Sequence, residues 1–209
     1  MPMESFETEG EAMGLYREAK EDPDDPPGAV AIARRILGRD AIRTAWVEGL
    51  VDGASLRREG GRWLIYVSRR LTFAELNFAV AHELGELALT RVGYREDDRE
   101  HIANAIGGAL ILPRPAFQRA YTASGFCLAD LAAEFIAPEG AVALRVGEVH
   151  GEPVALLTPT RIHRRAPHND LPSDAALRCL ARQTLDPWHP VQMVRCGDAA
   201  GSVAFRRVG

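Results

Sequence analysis

His82, Glu83 and Glu86 lie within the stretch Ala81-His82-Glu83-Leu84-Gly85-Glu86-Leu87. Residues four apart share one face of a helix, so His82 and Glu86 point the same way, with Glu83 beside them. In an H-E-x-x-H helix that spacing lets two histidines hold zinc while the glutamate activates a bound water. This chain keeps the histidine and the water-activating glutamate, and places Glu86 where the second histidine would stand. A mononuclear site of this kind needs three protein ligands and an open position, so a third must come from elsewhere. Glu100, near the start of the next expected helix, supplies it if that helix packs across the first. Asn104 follows one turn later on the same face, placed to hydrogen-bond a ligand or the substrate. The Gly107-Gly108 pair would let the two helices approach closely.

Two outcomes follow from Glu86. In one, His82, Glu86 and Glu100 form a site of one imidazole and two carboxylates. It takes Zn2+, with Mn2+ or Fe2+ as alternatives because the harder oxygen-rich set is less selective. Two anionic ligands offset the metal's charge, so a bound water is less acidified than beside two neutral imidazoles. In the other, no metal binds. Glu83, Glu86 and Glu100 are then mutually repelling carboxylates, one of which must hold a proton or meet an arginine.

The elements that would position these residues can be read from spacing and punctuation. Through Gly28 the chain carries many carboxylates and the run Asp22-Pro23-Asp24-Asp25-Pro26-Pro27, which predicts an acidic flexible arm over 1–28 with a short helix near Met13 to Ala19. Val30, Ile32, Ala33, Ile36 and Leu37 have helical spacing and stop at Gly38. Thr44 to Val47, Ala54 to Arg57 and Arg62 to Val67 read as strands, the last two joined in a hairpin at Gly60-Gly61. Thr72 can cap a helix from Phe73 through Leu89, whose positions Phe78, Ala81, Gly85 and Leu89 share a face. Further helices are expected over 99–112, 115–121, 128–135 and 139–149. The segment 154–209 is expected to be a small α+β appendage with a helix from Ser173 to Gln183 and strands at 192–195 and 202–205.

Composition narrows the class. The chain has 209 residues, 46% of them hydrophobic, and a formal net charge of -4, which suits a globular protein with a substantial core and argues against a dedicated nucleic-acid surface. Three cysteines, Cys127, Cys179 and Cys196, have no paired spacing and read as reduced thiols, Cys127 as a core one. No basic-then-apolar N-terminal segment and no membrane-length apolar run occurs, so a cytoplasmic protein with no membrane association is expected. The helix pair 128–149 has the outline of a helix-turn-helix. Its second member carries Arg145 as its only arginine or lysine, which argues against direct nucleic-acid binding. His101 points away from Glu100 around the helix, and the Arg161 to Arg165 run reads as a solvated loop. His150, His163, His168 and His189 lack ligand spacing; one of these four, or Tyr94, could meet a developing oxyanion if folded over the cleft.

The blocks Phe78-Ala79-Val80-Ala81-His82-Glu83-Leu84-Gly85, Glu100-x-x-Ala103-Asn104 and Leu110-Ile111-Leu112-Pro113 together resemble the ImmA/IrrE family of bacterial zinc metallopeptidases, over roughly Val30 to Pro153. The resemblance implies an α+β fold with a zincin-like helical core and a small β-sheet, the peptidase domain spanning 29–153 and the appendage read above following it. It also implies a cytoplasmic, metal-dependent peptidase acting on a regulatory protein such as a helix-turn-helix transcriptional repressor. Carried over by position, Glu83 is the general base, and His82 and Glu100 are metal ligands; Glu86 departs from the family pattern. The alternative is a catalytically inactive member that serves as a protein-binding module in a repressor or toxin-antitoxin system.

Overall fold

A helix that is apolar on nearly every side has to be interior, and residues 73–91 meet that condition: Val80, Ala81, Leu84, Leu87, Ala88 and Leu89 are all buried. The computed structural model describes residues 3–44, 53–94, 98–124, 127–151, 154–157, 162–165, 191–195 and 203–207. In chain order the elements are α1 (Met3–Ala19), α2 (Ala29–Leu37), β1 (Ile42–Thr44), β2 (Ala54–Glu59), β3 (Arg62–Val67), α3 (Phe73–Arg91), α4 (Arg99–Ile111), α5 (Arg114–Ser124), α6 (Leu128–Phe135), α7 (Glu139–His150), β4 (Val154–Leu157), β5 (Ile162–Arg165), β6 (Val191–Arg195) and β7 (Val203–Arg207). The fold is α+β. Two compact units divide it: Met1–Arg119 with Glu134–Ala137, and Ala120–Ala133 with Pro138–Gly209. That division falls earlier than the boundary expected at residue 153.

In the first unit β1 runs parallel to β3 and β2 antiparallel to it, giving the order β1-β3-β2. The hairpin closes on the pair Glu59 and Arg62, with Gly60 and Gly61 at φ 55° and 81°. Two consecutive positive φ angles match the twist of the flanking strands, and glycine supplies them without a Cβ clash. Of the strand expected at Thr44 to Val47, Thr44 ends β1 and the rest lies outside the described residues.

α3 starts at a reciprocal cap. The Glu75 amide donates to Thr72 Oγ1 at 3.3 Å and the Thr72 amide donates to Glu75 Oε2 at 2.8 Å. α3 and α4 then cross with almost no side chain between them. A Cβ on Gly85 would stand 2.6 Å from the carbonyl oxygen of Ala103, and one on Gly107 2.9 Å from the backbone nitrogen of His82. Gly108, expected to share this role, has nothing within 4 Å of its Cβ direction; Gly85 takes its place.

The expected flexible arm is corrected by the structure. Its first part is α1, a full helix whose Ala12, Leu15, Tyr16 and Ala19 are buried on one face at helical spacing. The Tyr16 hydroxyl donates to the carbonyl oxygen of Leu110 on α4 at 2.6 Å. Of the carboxylates that suggested an arm, Glu18 is exposed on this helix and Asp22, Asp24 and Asp25 lie in the turn after it.

A buried amide ties distant parts of this unit together. Asn77 on α3 accepts the Ala29 amide at 2.7 Å, meeting an otherwise orphaned donor at the start of α2, and donates to the Ile136 carbonyl at 2.9 Å. Ile136 has φ 50°, a left-handed conformation that a β-branched residue adopts at a cost.

In the second unit α7 packs on β4 and β5, and the sheet has the antiparallel order β5-β4-β7-β6. β6 and β7 lie where two strands were expected. β5 corrects the reading of the Arg161 to Arg165 run as a loop, since Ile162–Arg165 is a strand paired with β4; β4 was not expected, and the helix expected at 173–183 lies outside the described residues. Arg145 is buried and paired with Glu148 at 3.1 Å, so the only lysine or arginine on α7 is already neutralised.

The two helical glycines should respond oppositely to alanine. Gly85→Ala forces α3 and α4 apart and should destabilise the protein by about 1–3 kcal/mol, as overpacking does. Gly108→Ala has space and should stabilise it by up to about 1 kcal/mol through helix propensity. Urea denaturation followed by circular dichroism measures both.

Candidate metal centre

The close crossing sets one face of α3 against the first turns of α4. His82 and Glu86 come from α3 and Glu100 from α4, and one donor atom from each lies within 4.8 Å of the others. His82 Nε2 is 3.6 Å from Glu100 Oε2. The opposite ring nitrogen, His82 Nδ1, is 3.1 Å from Asn104 Oδ1. An amide oxygen can only accept, so that bond places a proton on Nδ1 and leaves the Nε2 lone pair facing Glu100.

Glu83 lies on the same stretch of α3 but is buried, with 7% of its surface exposed. Burial pushes its carboxyl above the ordinary 4.5, while His82 and a backbone hydrogen bond from Leu56 pull it down, and Glu86 and Glu100 push it up again. A carboxyl with raised proton affinity beside a cavity is suited to accept and return a proton. The cavity is about 660 Å³ and is lined by His82, Glu83, Glu86, Glu100 and Asn104 on one side and by Gly53, Ala54, Ser55 and Leu56 on the other.

Glu86 is held by a residue that spacing did not single out. Arg99, in the first turn of α4, donates Nε to Glu86 Oε2 at 2.6 Å and one terminal nitrogen to the Glu86 backbone carbonyl at 2.8 Å. Its guanidinium also reaches Thr90 Oγ1 at 2.7 Å and the Tyr94 carbonyl at 2.6 Å. Glu86 Oε1 is buried with no hydrogen-bond partner among the described residues. The signal was available: a cation in a helix's first turn opposes the helix dipole, so Arg99 needs a specific anion nearby.

A model of the IrrE N-terminal-like domain, peptidase M78, matches residues 42–146, half of the 209 residues. The chain belongs to the peptidase M78 family. A Mycobacterium tuberculosis transcriptional regulator has a similar fold, with a TM-score of 0.67 at 15% sequence identity over 96% of this chain and 87% of that one. No curated protein matches. Among the described residues, no helix is long and apolar enough to cross a membrane.

The M78 match spans β1 through most of α7 and so contains all the residues of the cluster. Donor atoms sharing one zinc ion sit roughly 3–3.5 Å apart. The His82–Glu100 separation of 3.6 Å is already near that, and Glu100 is exposed and free to turn inward. A buried carboxylate oxygen without a partner is the other mark of fit, since a cation would satisfy it. The donor set therefore suits a divalent ion. Of the other candidates in this M78 chain, the Tyr94 hydroxyl donates to Asp98 at 2.7 Å and His101 is exposed. His150 stacks on Tyr121 in the second unit, ring centroids 4.1 Å apart. Cys127 is half-buried. His168, His189 and Arg161 lie outside the described residues.

A carboxyl whose folded pKa is raised favours the folded state at pH values below its ordinary 4.5 and loses that contribution as pH rises through the folded value. Metal-free Glu83→Gln should accordingly melt above the parent at neutral pH, and the gap should close as pH falls below that ordinary value. Melting temperature against pH, in chelator, reads both arms.

Proposed function

We propose that this chain is a metal-dependent peptidase that acts in the cytoplasm on a regulatory protein such as a transcriptional repressor. The observation that carries the reading is the convergence of His82, Glu86 and Glu100 within 4.8 Å beside buried Glu83 in one cavity. His82, Glu86 and Glu100 would hold the ion, Zn2+ or alternatively Mn2+ or Fe2+, and the ion when bound supplies Lewis-acid polarisation of a carbonyl.

The chain's own residues account for the rest. Glu83 takes a proton from the attacking water and passes it to the leaving amine nitrogen, one carboxylate serving in both directions. Asn104 keeps the His82 ring in the tautomer and orientation that present Nε2. Among the described residues β2 has only β3 as a neighbour in its sheet, and its residues Ala54 to Leu56 border the cavity. An extended peptide can pair with such an edge and lie along the cleft, which favours a polypeptide substrate. The regulatory setting draws on the description of the M. tuberculosis protein of like fold as a transcriptional regulator.

One observation favours a second reading, a binding module with a retired site: Arg99 already occupies Glu86 Oε2, as a carboxylate without a metal would require. Elemental mass spectrometry on chelator-free protein separates the two. The peptidase reading expects about one metal per chain, lost in His82→Ala. It also expects Glu83→Gln to retain the metal while losing cleavage of a co-expressed repressor. No metal after addition of zinc or manganese would leave the binding module standing.

A further inference from the structure

We propose that Arg99 is what allows Glu86 to stand in for a histidine: it positions the carboxylate as a metal ligand and cancels the charge that the carboxylate adds. This rests on the metal-binding reading above. A histidine offers one neutral lone pair in a rigid ring. A glutamate offers two oxygens, three rotatable bonds and a negative charge, so a substitute needs one oxygen selected, the rotamer fixed and the charge offset.

Arg99 meets all three needs. Its Nε bond occupies Oε2 and leaves Oε1, the buried oxygen without a partner, as the free donor. Its other nitrogens grip the backbone carbonyls of Glu86 and Tyr94 and the Thr90 hydroxyl. The Thr90 hydroxyl in turn donates to the Glu86 carbonyl at 2.7 Å. The guanidinium is thus fastened to the same turn of α3 that carries the carboxylate, and a planar fork so fastened holds one geometry. With Arg99 counted, two carboxylates and one imidazole carry a single net negative charge, as two histidines and one glutamate do. The side chains of Arg99 and Glu86 are 26% and 19% exposed, sheltered enough for a charge-assisted bond to count. Lysine would keep the charge but not the fork.

The test is the zinc dissociation constant of the full chain, by competition with a chromophoric chelator, for the parent, Arg99→Gln, Glu86→His and the double variant. Melting curves of the metal-free proteins are recorded alongside as a check of folding. Loss of a residue that orients a ligand weakens metal binding by about 10–100-fold, and Arg99→Gln should do so in the parent. In the Glu86→His background the same change should cost nothing or strengthen binding, because a cation beside a neutral imidazole only repels the ion. Arg99→Lys should recover part of the loss, and takes the place of Arg99→Gln in the cycle if that variant does not fold. Equal losses in both backgrounds would make Arg99 a brace for the α3–α4 corner and overturn the proposal, as would a parent indifferent to Arg99. In either case the metal-binding reading survives. A parent that binds neither zinc nor, by the same competition, manganese or ferrous iron overturns both.

Discussion

Two backbones brought into contact decide what this protein can do. Where α3 and α4 cross, the space a methyl group would need at Gly85 is filled by the Ala103 carbonyl, and that at Gly107 by the backbone at Ala81 and His82. Residues from helices separated by a loop can share one point only if the axes run that close. The histidine at the crossing is thereby committed to face α4. The burial around it follows, since Ala81, Leu84, Ala103 and Ile106 have no exposed surface and fix the depth at which the polar face begins.

On that platform the electrostatics are those of carboxylates crowded beside one imidazole. Glu83 is kept from water by burial and drawn on by the Leu56 hydrogen bond; Glu86 is gripped by Arg99; Glu100 stands outward within reach of His82. Each anion thus has a different environment. Burial is the largest of these effects on Glu83 and raises its proton affinity.

Much of this was legible in the chain. α3 and its cap at Thr72 follow from period and capping chemistry, and the convergence of His82 with Glu100 follows from spacing once two helices are assumed to cross. What was missed shares a cause. α1 was hidden because its carboxylates dominate the composition, while among the described residues its buried apolar side chains are Ala12, Leu15, Tyr16 and Ala19. Gly85 looked like a member of an apolar face, and nothing in one helix says which glycine a second will touch. Arg99 sits beside Glu100, but its partner is 13 positions back, a distance that only the folded corner makes short. β4 and β5 are four residues each, too short for alternation to stand out.

The amide of Asn77 has a consequence for the order of events as the chain is made. It joins α2 and α3 to the Ile136 carbonyl across a sequence separation of 59, and residues 134–137 belong to the first unit although the chain on both sides of them belongs to the second. A ribosome that has released α1 to α4 has therefore not yet released everything that the first unit's interior requires. Synthesis must pass residue 137 before that bond can close, so the candidate centre's scaffold is completed only after part of the neighbouring unit has emerged. No single cut in the chain separates the two units cleanly.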